Sequence, residues 1–185
     1  MTRSWLRVRQ CRIFGAPVYV HWYVLVVAAI LVVLALRNAI LALTALASYL
    51  AIILVHETGH AAVARRLGYE VSAVRIGLVH GRCEYQHPDS LWDAALVSWG
   101  GVIAQLLVAA LVFILASFLS DGAATYFGPV VIFLGYINIA VAFINLSPSA
   151  PFDGRLAWRM FPELVARIRG RLAVRRVIKR AARRR

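Results

Sequence analysis

The sequence from Ala39 to His60, AILALTALASYLAIILVHETGH, joins an apolar run to a cluster of ionisable side chains. No Lys, Arg, Asp or Glu occurs from Ala39 to Val55, and His56 and Glu57 follow directly. A helix needs about 20 apolar residues, and at least about 17, to cross the hydrocarbon core of a bilayer. Ionisable groups at membrane depth are costly and usually belong to a functional site. This stretch therefore predicts a transmembrane helix that carries such a site near one end.

Three further segments lack charged residues and are long enough to cross a membrane: Val18–Leu36, Ala94–Leu119 and Thr125–Leu146. Of the 185 residues, 62% are hydrophobic and 16% are charged, against roughly a quarter charged in ordinary globular domains. A chain of this length cannot supply a soluble shell around four apolar helices, which excludes a soluble protein. The sequence predicts about four transmembrane helices in one domain, residues 1–160, followed by a basic C-terminal helix or tail, residues 161–185.

Positive charge is concentrated on one side of the predicted membrane protein. The net charge is +13, and with four spans every Lys and Arg except Arg37 falls on the side of the N-terminus. Because cytoplasmic loops are rich in Lys and Arg, both termini are predicted to be cytoplasmic in a multi-pass protein of the cell (inner) membrane. The basic tail is expected to lie on anionic lipid headgroups, and no nucleic-acid partner is expected.

Residues 70–87 differ from the apolar segments around them. Val74, Ile76 and Leu78 alternate with other residues, and Gly81 offers a turn, a period-two pattern typical of strands. The predicted fold is therefore an all-α membrane protein whose second and third helices are joined by a short cytoplasmic β-hairpin.

The motif His56-Glu57-Thr58-Gly59-His60 has the spacing of a helical metal site. Side chains four residues apart lie on one helical face, so the two imidazoles can converge on one ion. Glu57 lies about 100° round the helix from His56, where it can reach a water molecule on the metal. Two histidines, one carboxylate and an open position form a common catalytic zinc arrangement. A hydrogen-bonded polar cluster between helices is the alternative interpretation.

Asp153 is the strongest candidate for the third ligand. It follows the fourth predicted span, on the side where the second span ends, and Pro148 and Pro151 interrupt the helix before it. Non-helical backbone at membrane depth is tolerated only inside protein or beside a water-filled cavity, so this segment can supply a ligand and access for water. The other carboxylates and histidines are weaker candidates: His21, Glu70, Glu84, Asp121, and a cluster of His80, Cys83 and His87 with no zinc-like spacing.

Together these motifs resemble the site-2 protease family of intramembrane zinc metalloproteases. Two spans after the H-E-x-x-H helix, Asn145–Gly154 (NLSPSAPFDG) is similar to the N-x-x-P-x-x-P-x-D-G pattern of that family. Phe14–Trp22 (FGAPVYVHW) resembles the entry to its first core helix, and Ser98–Gly101 stands where the family often has A-G-P. The resemblance covers residues 13–160. Val102 in place of a usual proline, and Gln105 near a usual asparagine, are departures from the pattern.

The resemblance implies a metalloendopeptidase with one zinc ion per chain, held by His56, His60 and Asp153. It implies that Glu57 activates a water molecule on the zinc. The implied substrate is a single-pass membrane protein cleaved in or near its transmembrane segment, as in regulated intramembrane proteolysis.

Two substrate contacts are expected beyond the metal site. Asn145 is expected to hold the extended substrate or the oxyanion. A hairpin edge at Val74, Ile76 and Leu78 is expected to pair with the unwound substrate as an added strand.

Two other functions compete with proteolysis. A non-catalytic membrane protein of the same fold would bind or sequester a transmembrane helix, and the intact Glu57 argues against it because a pseudoenzyme commonly loses its general base. A small transporter would need polar residues along several spans, and these are scarce apart from Gln105 and Asn138.

Overall fold

The computed structural model describes residues 4–34, 39–77, 81–120 and 127–182. The elements follow in the order β1 (Trp5–Ile13), β2 (Ala16–His21), α1 (Trp22–Leu34), α2 (Ala39–Arg66), β3 (Val71–Ile76), β4 (Gly81–Tyr85) and α3 (Leu91–Ala116). Then come α4 (Phe127–Asn145), a short α5 (Gly154–Ala157) and α6 (Met160–Ala182). Within α4 the turns Val131–Ile137 are π-helical.

Four strands in the described part of the chain form one mixed sheet in the order β1-β2-β3-β4. β1 pairs with β2 and β3 pairs with β4 in antiparallel fashion, whereas β2 and β3 run parallel, with Val18 opposite Val74. The prediction of an all-α protein with an isolated hairpin is therefore wrong. The N-terminal strands β1 and β2 supply half of the sheet.

Three helices among the described residues are long and apolar enough to cross a membrane: α2 from Leu41 onward, α3 and α4. The prediction of four spans is wrong, because the charge-free segment Val18–Leu36 is divided between two kinds of structure. Its first residues belong to β2, and the part of α1 that the structure describes, Trp22–Leu34, has 13 residues. At 1.5 Å per residue such a helix is about 20 Å long, shorter than the hydrocarbon core of about 30 Å.

Helices α2 and α3 meet at two glycines. A Cβ on Gly59 of α2 would overlap the carbonyl of Gly100 in α3, and a Cβ on Gly100 would lie 2.6 Å from the Gly59 carbonyl oxygen. Small residues let membrane helices approach backbone to backbone. This contact brings α3 directly against the part of α2 that carries His56 and His60.

The sheet packs on the same end of α2. Val18 and Val74 of adjacent strands are almost fully buried, together with Ala61 and Ala64 of α2 and Val97 of α3. The hydrophobic cluster therefore fixes the sheet beside the histidine pair and leaves the far end of α2 to the apolar helices.

Candidate metal centre

Three potential metal ligands meet at the junction of α2 with the segment that follows α4. His56 Nε2 and His60 Nε2 are 3.0 Å apart. One carboxylate oxygen of Asp153, Oδ2, lies 2.9 Å from His56 Nε2 and 3.2 Å from His60 Nε2. Within the ranges that the structure describes, no other group of three His, Cys, Asp or Glu side chains brings its ligand atoms together in this way.

The outer nitrogen of each imidazole faces a carbonyl oxygen. His60 Nδ1 lies 2.7 Å from the backbone oxygen of Val97, and His56 Nδ1 lies 2.9 Å from Oε1 of Gln105. A carbonyl oxygen only accepts hydrogen bonds, so each Nδ1 carries the proton and donates it. In the neutral imidazoles, both Nε2 atoms then present lone pairs towards each other and towards the Asp153 carboxylate.

Three acceptor atoms at this separation repel one another unless they share a cation. Ligands about 2.0–2.2 Å from zinc in a tetrahedral arrangement are roughly 3.3–3.6 Å apart, and the observed separations of 2.9–3.2 Å are slightly shorter. Two histidines and a carboxylate are also a usual donor set for catalytic zinc. The residues present therefore fit a zinc ion with one open position.

α3 leaves space for the two imidazoles. A Cβ on Gly101 would lie 2.7 Å from His56 Nδ1 and from His60 Nε2. The adjacent glycines of α3 thus have separate roles: Gly100 allows the close helix contact, and Gly101 makes room for the rings.

The loop that carries Asp153 is held by two tryptophans and a glycine. Trp158 Nε1 donates to the Leu146 carbonyl at 2.7 Å, and Trp99 Nε1 of α3 donates to the Ala157 carbonyl at 3.0 Å. A Cβ on Gly154 would overlap the Leu146 carbonyl, so only glycine lets the chain fold back this tightly. These contacts tie the segment from Leu146 to Trp158 to α3 and to itself.

The charge state of Asp153 follows from its surroundings. Burial raises the pKa of its carboxyl group, so the ionised form needs a proton or a cation between Oδ2 and the two Nε2 atoms. A metal ligand must be an ionised carboxylate, and a cation shared with His56 and His60 would favour that form of Asp153.

Glu57 lies beside this centre but is not part of the three-residue group. Its side chain is only 3% exposed and packs against the start of β4, where a Cβ on Gly81 would lie 2.5 Å from Glu57 Cγ and Oε1. The Cys83 backbone also interacts with the Glu57 carboxylate. β4 therefore determines where the Glu57 carboxylate can lie.

The residues predicted to contact substrate have different environments. Asn145, at the end of α4, is half-buried, with Nδ2 3.5 Å from His56 Nδ1. Val74 and Ile76 are buried core residues of β3, and β3 has β2 on one side and β4 on the other. The prediction of an exposed edge there is wrong for β3, because both of its edges are already paired. Leu78 lies outside the described residues.

Those weaker metal candidates that the structure describes do not converge on one point. His21 ends β2 and packs in an aromatic cluster with Trp5 and Tyr23. Burial, followed by the nearby Glu57 and Glu84, raises the pKa of Cys83 to about 12, so its thiol stays protonated. His87 is exposed, and His80 lies outside the described residues.

Sequence reasoning did not assign several residues that shape this centre. Gln105 and Asn138 are fully buried amides in α3 and α4, and amides within apolar spans are an indication that could have identified them. Gly81, Gly101 and Trp99 act through packing with distant segments, which the local sequence does not reveal.

Comparisons with known proteins agree with this architecture. The model of peptidase family M50 matches residues 44–121, which include the H-E-x-x-H helix, β3, β4 and α3. The fold is similar to that of the site-2 protease from Methanocaldococcus jannaschii, with a TM-score of 0.63 and 19% sequence identity over 85% of this chain and 71% of that chain. No curated protein sequence matches the chain. The match to peptidase family M50 and the similar fold confirm the resemblance to the site-2 protease family.

Proposed function

We propose that this protein is an intramembrane zinc metalloprotease that hydrolyses peptide bonds in or near the transmembrane segments of membrane-protein substrates. The observation that carries the proposal is the meeting of three acceptor atoms, from His56, His60 and Asp153, beside the buried carboxylate of Glu57. A merely structural polar cluster would pair donors with acceptors. A cation shared by the three acceptor atoms accounts for the cluster observed here.

The proposed ligands are His56, His60 and Asp153, with one zinc ion per chain. When bound, zinc supplies Lewis-acid polarisation of the scissile carbonyl and acidification of a water molecule. The two Nδ1–H groups and their carbonyl partners keep the imidazoles oriented with their lone pairs towards the ion, which is how histidine ligands are usually held.

Glu57 is proposed as the general base. Its carboxylate takes a proton from the attacking water and delivers it to the leaving amine, a role for which a positioned carboxylate contributes about 10²–10⁴-fold. Glu57 is not needed as a ligand, because three ligands are already present. A non-catalytic helix-binding protein would have no use for a buried acid in this position.

The substrate is proposed to add as a strand to β4. Within the described residues β4 forms one edge of the sheet, and it is the strand that packs on Glu57 through Gly81. An extended peptide gains main-chain hydrogen bonds by pairing with such an edge. Asn145, beside His56, is proposed to orient the peptide at the reacting carbonyl.

The sheet and the C-terminal helix are proposed to face the cytoplasm. The sheet joins β1 and β2 to the connection between α2 and α3, so these segments share one side of the membrane. The connection between α3 and α4, residues 117–126, contains no Lys or Arg, and the basic side is normally cytoplasmic. A membrane-impermeant thiol reagent applied from outside should therefore label Ser120→Cys and not Arg82→Cys.

Anionic lipid headgroups are proposed as partners of α6. Arg169, Arg171 and Arg175 of this helix are exposed, and so are the apolar Ile168 and Leu172. Mixed basic and apolar exposure suits a helix that lies in the interface of an anionic membrane.

The test of the function is zinc per chain in detergent-purified protein, measured beside cleavage of a single-pass reporter protein in liposomes. Stoichiometric zinc with cleavage that depends on Glu57 is expected. A folded protein that binds no zinc would overturn the proposal.

A further inference from the structure

Two amide side chains are fully buried between α3 and α4. Gln105 and Asn138 each have 0% exposure, and both lie in helices that are long and apolar enough to cross a membrane. Polar groups inside a membrane protein are retained at a free-energy cost and face protein partners. Their hydrogen bonds show what they do there.

The orientation of the Asn138 amide is fixed by two backbone acceptors. Asn138 Nδ2 lies 2.8 Å from the Gln105 carbonyl oxygen and 3.2 Å from the Leu134 carbonyl oxygen. Because those oxygens can only accept, the atom facing them must be the NH₂ group. Asn138 Oδ1 therefore points the other way and can only accept.

That acceptor in turn fixes the Gln105 amide. Gln105 Nε2 donates to Asn138 Oδ1 at 3.1 Å, which leaves Gln105 Oε1 facing His56 Nδ1 at 2.9 Å. A flipped Gln105 would place its Oε1 against Asn138 Oδ1, two acceptors with no proton between them. Asn145 Nδ2 is also near His56 Nδ1, but at 3.5 Å it is too distant to compete with Gln105.

The two histidines are thus held by different means. His60 donates to the backbone oxygen of Val97, an acceptor that no side-chain substitution removes. His56 depends on a side chain, Gln105, whose own orientation depends on Asn138. The π-helical turns Val131–Ile137 end directly before Asn138, and π-helical turns are frequent at functional sites.

We infer that Gln105 and Asn138 are positioning residues that hold His56 in its Nδ1–H tautomer, with Nε2 free to bind the metal ion. The inference rests on the proposed metal site. It adds two residues of α3 and α4 that touch neither the ion nor the substrate.

A matched pair of variants separates hydrogen bonding from shape. Gln105→Met keeps the size of the side chain and removes the acceptor, whereas Gln105→Glu keeps an acceptor facing His56. Asn138→Leu leaves Gln105 in place but frees its amide to rotate. Ser98→Ala is the control, because Ser98 is a buried polar residue of α3 whose hydroxyl donates to the Ala94 carbonyl and, among the described residues, to no other partner.

The first readout is the ¹⁵N chemical shifts of the histidine rings in metal-free protein, which report the tautomer without zinc. His56 should be in the Nδ1–H form in the wild type, Gln105→Glu and Ser98→Ala, and should lose that preference in Gln105→Met. His60 should keep its tautomer in all variants. The second readout is zinc affinity by competition with a chelator.

Zinc affinity should fall about 10–100-fold in Gln105→Met, the usual effect of removing a partner of a ligand. It should fall less in Asn138→Leu and stay close to wild type in Gln105→Glu and Ser98→Ala. Equal losses in the Met and Glu variants, or an unchanged His56 tautomer in Gln105→Met, would overturn the inference. A wild-type protein with the expected tautomers but no zinc affinity would overturn the proposed function and leave this inference standing.

Discussion

Gly81 of β4 lies directly against Glu57 of α2: a Cβ at position 81 would lie 2.5 Å from Glu57 Cγ and Oε1. Gly81 is not among the glycines with a positive φ, so the backbone does not require glycine there. Glycine is required there because the Glu57 side chain occupies the space that a Cβ would need. The sheet edge and the proposed general base are therefore in direct contact.

Substitution of Gly81 should affect catalysis without removing the metal. Gly81→Ala should push the Glu57 carboxylate away from its position and lower the cleavage rate by about tenfold or more, because a misplaced catalytic group can cost about 10² in rate. Zinc content should not change. Gly170→Ala in α6 is the matched control, since a Cβ there meets open space. Cleavage at the wild-type rate in Gly81→Ala would show that the contact does not position Glu57.

Variants of the proposed base and variants of the proposed ligands should differ in metal content. Glu57→Gln keeps the size of the side chain and removes the proton acceptor, so it should retain zinc and lose cleavage by about 10²-fold or more. Asp153→Ala removes a ligand and should lose both zinc and cleavage, as should His56→Ala and His60→Ala. Zinc per folded chain and cleavage of a single-pass reporter are measured side by side. Full zinc occupancy in Asp153→Ala would refute its assignment as the third ligand.

The edge of the sheet that receives the substrate can be identified by cross-linking. β1 and β4 form the two edges, and each carries an exposed arginine, Arg9 and Arg82. In a background in which Cys11 and Cys83 are replaced by alanine, Arg82→Cys should form a disulfide with a cysteine near the scissile bond of a substrate. Arg9→Cys should not, because β1 lies at the opposite edge from Glu57. Preferential cross-linking to β1 would exclude β4 as the docking strand.

The C-terminal helix should respond to lipid charge and leave the metal site unaffected. In nanodiscs with anionic lipid, the arginines of α6 should be cleaved by trypsin more slowly than in neutral nanodiscs. Protection should disappear at about 1 M salt, where the screening length is only about 3 Å. Deletion of residues 165–185 should not change zinc content, because every proposed ligand lies upstream. Equal cleavage rates in both lipids would rule out the headgroup contact.

The sequence by itself determined the features that depend on near neighbours along the chain. The spacing of His56 and His60 brings two imidazoles to one helical face, and the apolar runs of α2, α3 and α4 identify helices that can cross a membrane. Both are local consequences of helical periodicity. The family resemblance also rests on these motifs. It implies that Asp153 is a metal ligand and that Glu57 activates the attacking water.

Only the tertiary structure decided the features that join distant segments. The absence of charge from Val18 to Leu36 did not separate β2 from α1, because a strand buried against a core and an apolar helix look alike in composition. The parallel pairing of β2 with β3 spans two intervening helices and is set by packing on α2, so no local pattern indicated a four-stranded sheet. The orientation of His56 likewise depends on Gln105 of one helix and Asn138 of another. Their meeting is a property of how the helices pack, which neighbouring residues in the sequence do not specify.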